Sequence, residues 1–134
     1  MTRLLDTNHA IAILNADPRL ASRLEAAKAV GDTFALTTTV LGELYYGAQA
    51  SERVAENLAK PEALSAQLAL YDFDAAAASE FGKVKAELRR KGRPIPSADA
   101  QIAAVARLNG LVVLTDDIHL HSVAGLTVEN WLRG

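Results

Sequence analysis

Apolar positions along the chain fall in short blocks that alternate between strand-like runs and helical spacing. Leu4-Leu5 opens a short apolar strand that ends at Asp6. Asn8 or Thr7 is expected to cap a helix through Ala10, Ile11, Ile13 and Leu14. Asp17-Pro18 breaks it, and Pro18 suits the first turn of a second helix through Leu20 and Leu24 to about Val30. After a turn at Gly31-Asp32, Phe34-Ala35-Leu36 reads as a strand, with Thr37-Thr38-Thr39 capping a helix that carries Val40, Leu41, Leu44 and Ala48 on one side. Gly47 is expected to mark its end. One or two helices cover Ser51 to Leu68, with Pro61 starting the second part. Leu70 to Phe73 is a short strand, and Asp74 caps an alanine-rich helix through Phe81, Val84 and Leu88 to Lys91. Gly92 stops that helix. Pro94 and Pro96 stiffen the next loop. Ser97 is expected to cap a helix whose apolar face is Ile102, Val105, Ala106 and Leu108, ending at Asn109-Gly110. Leu111 to Thr115 is the best strand in the chain and almost continuously apolar, as when helices cover both faces of a parallel sheet. Leu126-Thr127-Val128 is a last short strand. Strands alternate with helices, so the expected class is α/β, a mostly parallel four- to five-stranded central sheet flanked by helices.

Composition narrows the chemistry. The 134 residues, half of them hydrophobic, fit one domain spanning 1–134 with its own core. Cysteine is absent, which excludes disulfides, thiolate zinc sites and cysteine nucleophiles. No apolar run approaches the roughly 20 residues of a membrane span, and the start of the chain meets a charge too early for a signal peptide. The expectation is a cytoplasmic protein with no membrane partner. The net charge of −2 does not announce a nucleic-acid binder. Arg89, Arg90, Lys91 and Arg93, preceded by Lys83 and Lys85, nevertheless form one dense basic run. Taken alone it is a solvated helix end; beside a phosphodiester site it is an RNA contact.

Acidic residues fall where open α/β sheets place their sites, beyond the carboxyl ends of strands. Asp6 ends the first strand, Asp116-Asp117 follow the strong one, Asp99 lies in the first turn after Ser97, and Glu43 sits on the helix after the Phe34 strand. Each has an ordinary structural role open to it: capping for Asp6, the helix dipole for Asp99, solvation for Glu43, a turn for Asp116-Asp117. Together on one edge they would repel unless a cation compensated them. Carboxylates without cysteine suit Mg²⁺, with Mn²⁺ as the alternative, rather than zinc. Such a site suits phosphodiester hydrolysis. Thr7, Asn8 and Thr115 offer groups to orient the ligands. His9 is read as incidental, and His119 and His121 fall in a loop without a partner of matching spacing; none is assigned as a base.

The motifs resemble the PIN-domain endoribonucleases, in particular the VapC toxins of type II toxin–antitoxin pairs. Five of them occur in order: Leu4-Leu5-Asp6-Thr7-Asn8; Gly42-Glu43-Leu44-Tyr45-Tyr46-Gly47-Ala48; Leu88 to Ile95; Asp99 to Ala104; and Leu114-Thr115-Asp116-Asp117 with Gly125 to Trp131. The resemblance implies a PIN-like fold and an acidic catalytic set of Asp6, Glu43, Asp99 and Asp117, with Asp6 and Asp99 as the main Mg²⁺ ligands. The family's Thr-x-Asp pattern favours Asp117 over Asp116. Leu120 stands where many members carry Phe, and Pro96-Ser97-Ala98 where a glycine is usual. The resemblance further implies RNA cleavage, a cognate VapB-type antitoxin that blocks the site, and homodimers.

Two rivals have distinct signatures. A phosphoacceptor domain wants an aspartate nucleophile in an Asp-x-Asp start, whereas Asp6 is followed by Thr7-Asn8. A catalytically silent PIN-like module that only binds RNA or protein is the alternative function; here every acidic position is filled.

Overall fold

The computed structural model describes residues 1–133. Five strands and six helices follow in the order β1 (Thr2–Leu5), α1 (Thr7–Leu14), α2 (Pro18–Ala29), β2 (Thr33–Thr37), α3 (Thr38–Gln49), α4 (Val54–Gln67), β3 (Ala69–Tyr71), α5 (Ala75–Arg90), α6 (Ser97–Asn109), β4 (Val112–Leu114) and β5 (Thr127–Glu129), with a short 3-10 helix at Ile118–Ser122 before β5. All strand pairs are parallel, in the order β3-β2-β1-β4-β5. Leu4 and Leu5 point to opposite faces of β1, and both are fully buried, so helices cover the sheet on both sides. The chain winds outward from β1 in one direction through β2 and β3, then returns to β4 and β5. The crevice between the ends of β1 and β4 is therefore a topological switch point, where open α/β sheets bind ligands.

Several boundaries differ from the sequence expectation. Asp6 itself caps α1, because β1 runs into the helix with no intervening loop; neither Thr7 nor Asn8 holds that place. Gly47 lies inside α3, which continues to Gln49 as Ala48 packs into the core. Pro61 sits within a single α4. It withholds one helical hydrogen bond, but its ring is buried beside Ile11, Leu14 and Leu44. Pro96, not Ser97, occupies the cap position of α6, and Ser97 instead accepts a hydrogen bond from Lys85 Nζ at 3.2 Å. Leu108 is 44% exposed, while Ala100 and Ile102 to Ala106 are buried, so α6 is enclosed nearly all round over that stretch. Gly110 takes a left-handed conformation (φ 65°) at the end of α6, the geometry glycine adopts without a Cβ clash.

An ion-pair network missed in the sequence ties α5 to α6. Arg107 donates to Glu80 at 2.8 Å and to Glu87 at 2.7 Å. The tail after β5 is held by Trp131, which packs edge-on against Phe34 with ring centroids 5.8 Å apart and has the Arg3 and Arg23 guanidinium groups over its ring. Among the described residues no helix is long and apolar enough to cross a membrane.

Candidate active site

The crevice is built from the ends of β1 and β4 outward. Asp6 closes β1 and is 4% exposed. Its Oδ1 accepts from the Thr7 backbone N–H at 2.8 Å and its Oδ2 from the Thr115 hydroxyl at 2.5 Å. Burial pushes the Asp6 carboxyl above its ordinary range; those two hydrogen bonds act in the opposite direction, and the charges of Asp117 and Glu43 raise it further. Thr115 is fully buried and serves both sides, because its oxygen also accepts from the Asp117 N–H at 2.9 Å. Thr115→Val removes that hub without changing its shape. It is expected to destabilise the protein by about 2 kcal/mol, since one buried carboxylate oxygen and one N–H lose their partner. Urea denaturation checks this against Thr115→Ser, which keeps the hydroxyl; equal midpoints for the two variants would rule the hub out.

Asp99 stands in the first turn of α6, 15% exposed at its side chain. The positive end of the helix dipole favours its charge, yet its pKa is raised to about 6. Burial is the largest cause, followed by the neighbouring Asp117 carboxyl, close enough to share a proton, and by the charge of Asp6. Glu43 is exposed on α3, where its Oε2 accepts from the Thr7 hydroxyl at 2.7 Å. Thr7 thereby links the cap of α1 to the middle of α3, with its backbone on Asp6 and its hydroxyl on Glu43. Thr39 on α3 donates to Gln101 on α6 at 2.9 Å, which fixes the helices bearing Glu43 and Asp99 to each other.

The two aspartates after β4 part company. Asp117 faces Asp99, whereas the Asp116 carboxylate lies 3.4 Å from Arg133, and its N–H donates to Asn8 Oδ1 at 3.1 Å. Asn8, expected as a cap, is instead a brace for this loop. The same oxygen of Asn8 lies 2.7 Å from His9 Nδ1, and His9 Nε2 accepts from the Trp131 N–H at 3.0 Å. His9 is thus a fully buried structural residue, its pKa lowered by burial to about 4.

His119, passed over in the sequence, lies at the site. Its Nδ1 is 3.1 Å from Asp117 Oδ1 and 3.4 Å from Asp99 Oδ2. Asp99, Asp117 and His119 each offer a donor atom within 4.8 Å of the others, the one such group among the described residues. Sequence spacing gave no signal for it, because the rest of α6 and all of β4 lie between Asp99 and His119. The donor chemistry fits a divalent cation: two partly buried carboxylates forced together, an imidazole beside them, and Asp6 charged nearby. The basic run lies at the neighbouring helix end, where Lys85, Arg89, Arg90, Pro94 and Ile95 line a cleft of about 610 Å³.

Comparison with known proteins agrees with this geometry. The PIN domain family model matches residues 3–126. A tRNA(fMet)-specific endonuclease VapC of Shigella flexneri is 36% identical over 129 residues, covering 96% of each chain. Ribonuclease VapC2 of Haemophilus influenzae is 33% identical over 131 residues, covering 96% of this chain and 97% of its own. Among solved structures, VapBC2 from Rickettsia felis bound to a promoter DNA fragment superposes with a TM-score of 0.89 at 30% identity, covering 98% of this chain and 99% of that one. DNA-bound VapBC from Salmonella typhimurium gives 0.89 at 33% identity, with 98% of each chain covered. With a parallel 3-2-1-4-5 sheet, acidic groups at its switch point and full-length relatives of this kind, the chain belongs to the PIN-domain family and, within it, to the VapC ribonucleases.

Proposed function

We propose that this chain, a single PIN domain over 1–134, is the toxin of a type II toxin–antitoxin pair. It acts as a divalent-metal-dependent endoribonuclease in the cytoplasm, held inactive by a VapB-type antitoxin and assembled as a homodimer. The observation that carries the catalytic reading is Asp99, forced against Asp117 and beside buried Asp6 so that its proton leaves only near pH 6. A crevice that strains its own carboxylates in this way is relieved by a cation. Asp6 and Asp99 hold the ion, with Mg²⁺ as the first choice and Mn²⁺ as the second. The ion would supply an acidified water and neutralise charge gathering on the phosphate. Glu43, steadied by Thr7 at the exposed rim, orients the attacking water, and Asp117 completes the acidic shell. Lys85, Arg89 and Arg90 draw in the RNA backbone by pairing with its phosphates.

The test is cleavage of RNA by protein freed of antitoxin. Initiator tRNA is the first substrate, since the Shigella flexneri relative is named for it. Internal cuts are expected with Mg²⁺ or Mn²⁺ and none with EDTA. Intact RNA under every divalent ion would leave the silent binding module as the function.

A further inference from the structure

The proposed metal reading assigns oxygen donors only, and His119 is left without a task. Packing does not require it: the side chain is about half exposed. Among the described residues, its polar neighbours are the carboxylates of Asp99 and Asp117. Its position is nonetheless well fixed. Asp117 Oδ1 accepts from the His119 backbone N–H at 2.9 Å, capping the 3-10 helix, and the next residue, Leu120, is fully buried.

We propose that His119 is the nitrogen ligand of the metal site, and that it gives the site a mixed carboxylate–imidazole donor set favouring Mn²⁺ over Mg²⁺. This inference rests on the metal-dependent reading above; it adds a ligand to that reading and reverses its order of ions. Donors bound about 2.1 Å from one octahedral ion lie about 3.0 Å from their neighbours around it. The Nδ1 separations of 3.1 and 3.4 Å from two different carboxylates are close to that spacing. An ion seated among the three would exchange these contacts for bonds through small side-chain adjustments. Nδ1 would bind in its unprotonated form, leaving Nε2 toward solvent. Mg²⁺ takes oxygen ligands and retains its waters, whereas Mn²⁺, though also suited to carboxylates, belongs to the first-row divalent metals whose sites mix nitrogen with oxygen donors.

A rival role for the same geometry is a counter-ion, with imidazolium balancing two carboxylates until a metal displaces it. The two roles predict opposite results when the ring is removed. A counter-ion competes with the metal, so His119→Ala would tighten Mn²⁺ and Mg²⁺ binding alike. A ligand contributes to binding, so the variant would lose Mn²⁺ affinity selectively.

The experiment is Mn²⁺ titration of the metal-free protein, followed by electron paramagnetic resonance, with Mg²⁺ measured by competition. Parent, His119→Ala, His119→Asn and Asp99→Asn proteins are compared. Pulsed measurement of bound Mn²⁺ is expected to show coupling to a ¹⁴N nucleus in the parent and none in either His119 variant. Mn²⁺ affinity is expected to fall at least tenfold in His119→Ala, the lower end of what perturbing even an outer partner of a metal ligand produces, and Mg²⁺ affinity less than about threefold. Nitrogen coupling that survives in His119→Ala, or Mn²⁺ affinity that holds or rises, overturns the proposal. In that outcome, loss of binding in Asp99→Asn keeps the carboxylate metal site standing. A parent that binds no Mn²⁺ overturns both.

Discussion

An Asp99→Asn protein is expected to lose RNA cleavage by a factor on the order of 10³ and, in the same molecule, to become harder to unfold. The loss follows from the metal. Removing one charged ligand of a cation that stabilises phosphoryl charge forfeits several kcal/mol of transition-state stabilisation, and each 1.4 kcal/mol is tenfold in rate. The gain follows from the metal-free crevice. Asp99 is raised to about 6 by burial and by its neighbours, so keeping it ionised at neutral pH opposes folding. Asparagine has nearly the same shape and no charge, and about 2 kcal/mol of added stability in metal-free protein is the expected result. Gel-resolved cleavage and urea denaturation of the same preparation check the two halves. A variant both inactive and less stable than the parent would mean that Asp99 has a structural role which its geometry does not reveal.

The second expectation concerns acid. His9 is buried with its pKa lowered to about 4, so the unfolded chain takes up a proton more readily than the folded one. Its contribution is complete above the unfolded value near 6.5 and is lost as pH falls toward 4, for a total of about 3 kcal/mol. Protonation would also remove the Nε2 lone pair that accepts from the Trp131 N–H. Asp99 runs the other way. Its folded pKa lies above the ordinary 3.8, so the folded state gains stability as pH falls through 6. In the metal-free parent the two largely offset each other, and stability is expected to change by less than about 1 kcal/mol between pH 7 and pH 5. Asp99→Asn removes that offset, leaving the raised Asp6 carboxyl against His9, and is expected to lose about 1 kcal/mol more than the parent over the same interval. Asp32 and Glu87, held low by their arginine partners, lose stability only nearer pH 4, so stopping at pH 5 keeps them out of the comparison. Parallel pH profiles for parent and variant would contradict this account.

What was legible in the chain was local or periodic. Asp6 at a strand end, the apolar run before Asp116-Asp117 and the helical stripe around Glu43 each announce an element, and the elements bring these positions to one edge. The preference for Asp117 over Asp116 rests on a motif; in the structure Asp117 faces Asp99, while Asp116 donates its N–H to Asn8 and sets its carboxylate beside Arg133. What was not legible depended on contacts distant in sequence or on short turns. His119 meets Asp99 across a turn too brief to have a period. His9 was dismissed because its partner, Trp131, lies 122 positions away. Of the caps open in the sequence, Asp6 rather than Thr7 or Asn8 holds the place, because a strand running straight into a helix leaves no residue between them.

The central place of β1 also bears on when this protein becomes dangerous to the cell that makes it. Asp6 is synthesised well before its partner, since the hydroxyl it holds belongs to Thr115, 109 positions later. At ordinary synthesis rates that gap is about 5 to 20 s. Until β4 emerges and pairs with β1, the crevice lacks one wall, and Asp117 and His119 do not yet exist. A ribosome-bound chain is therefore inert as a nuclease until β4 and the turn after it have emerged, and a waiting antitoxin can meet the activity as it arises.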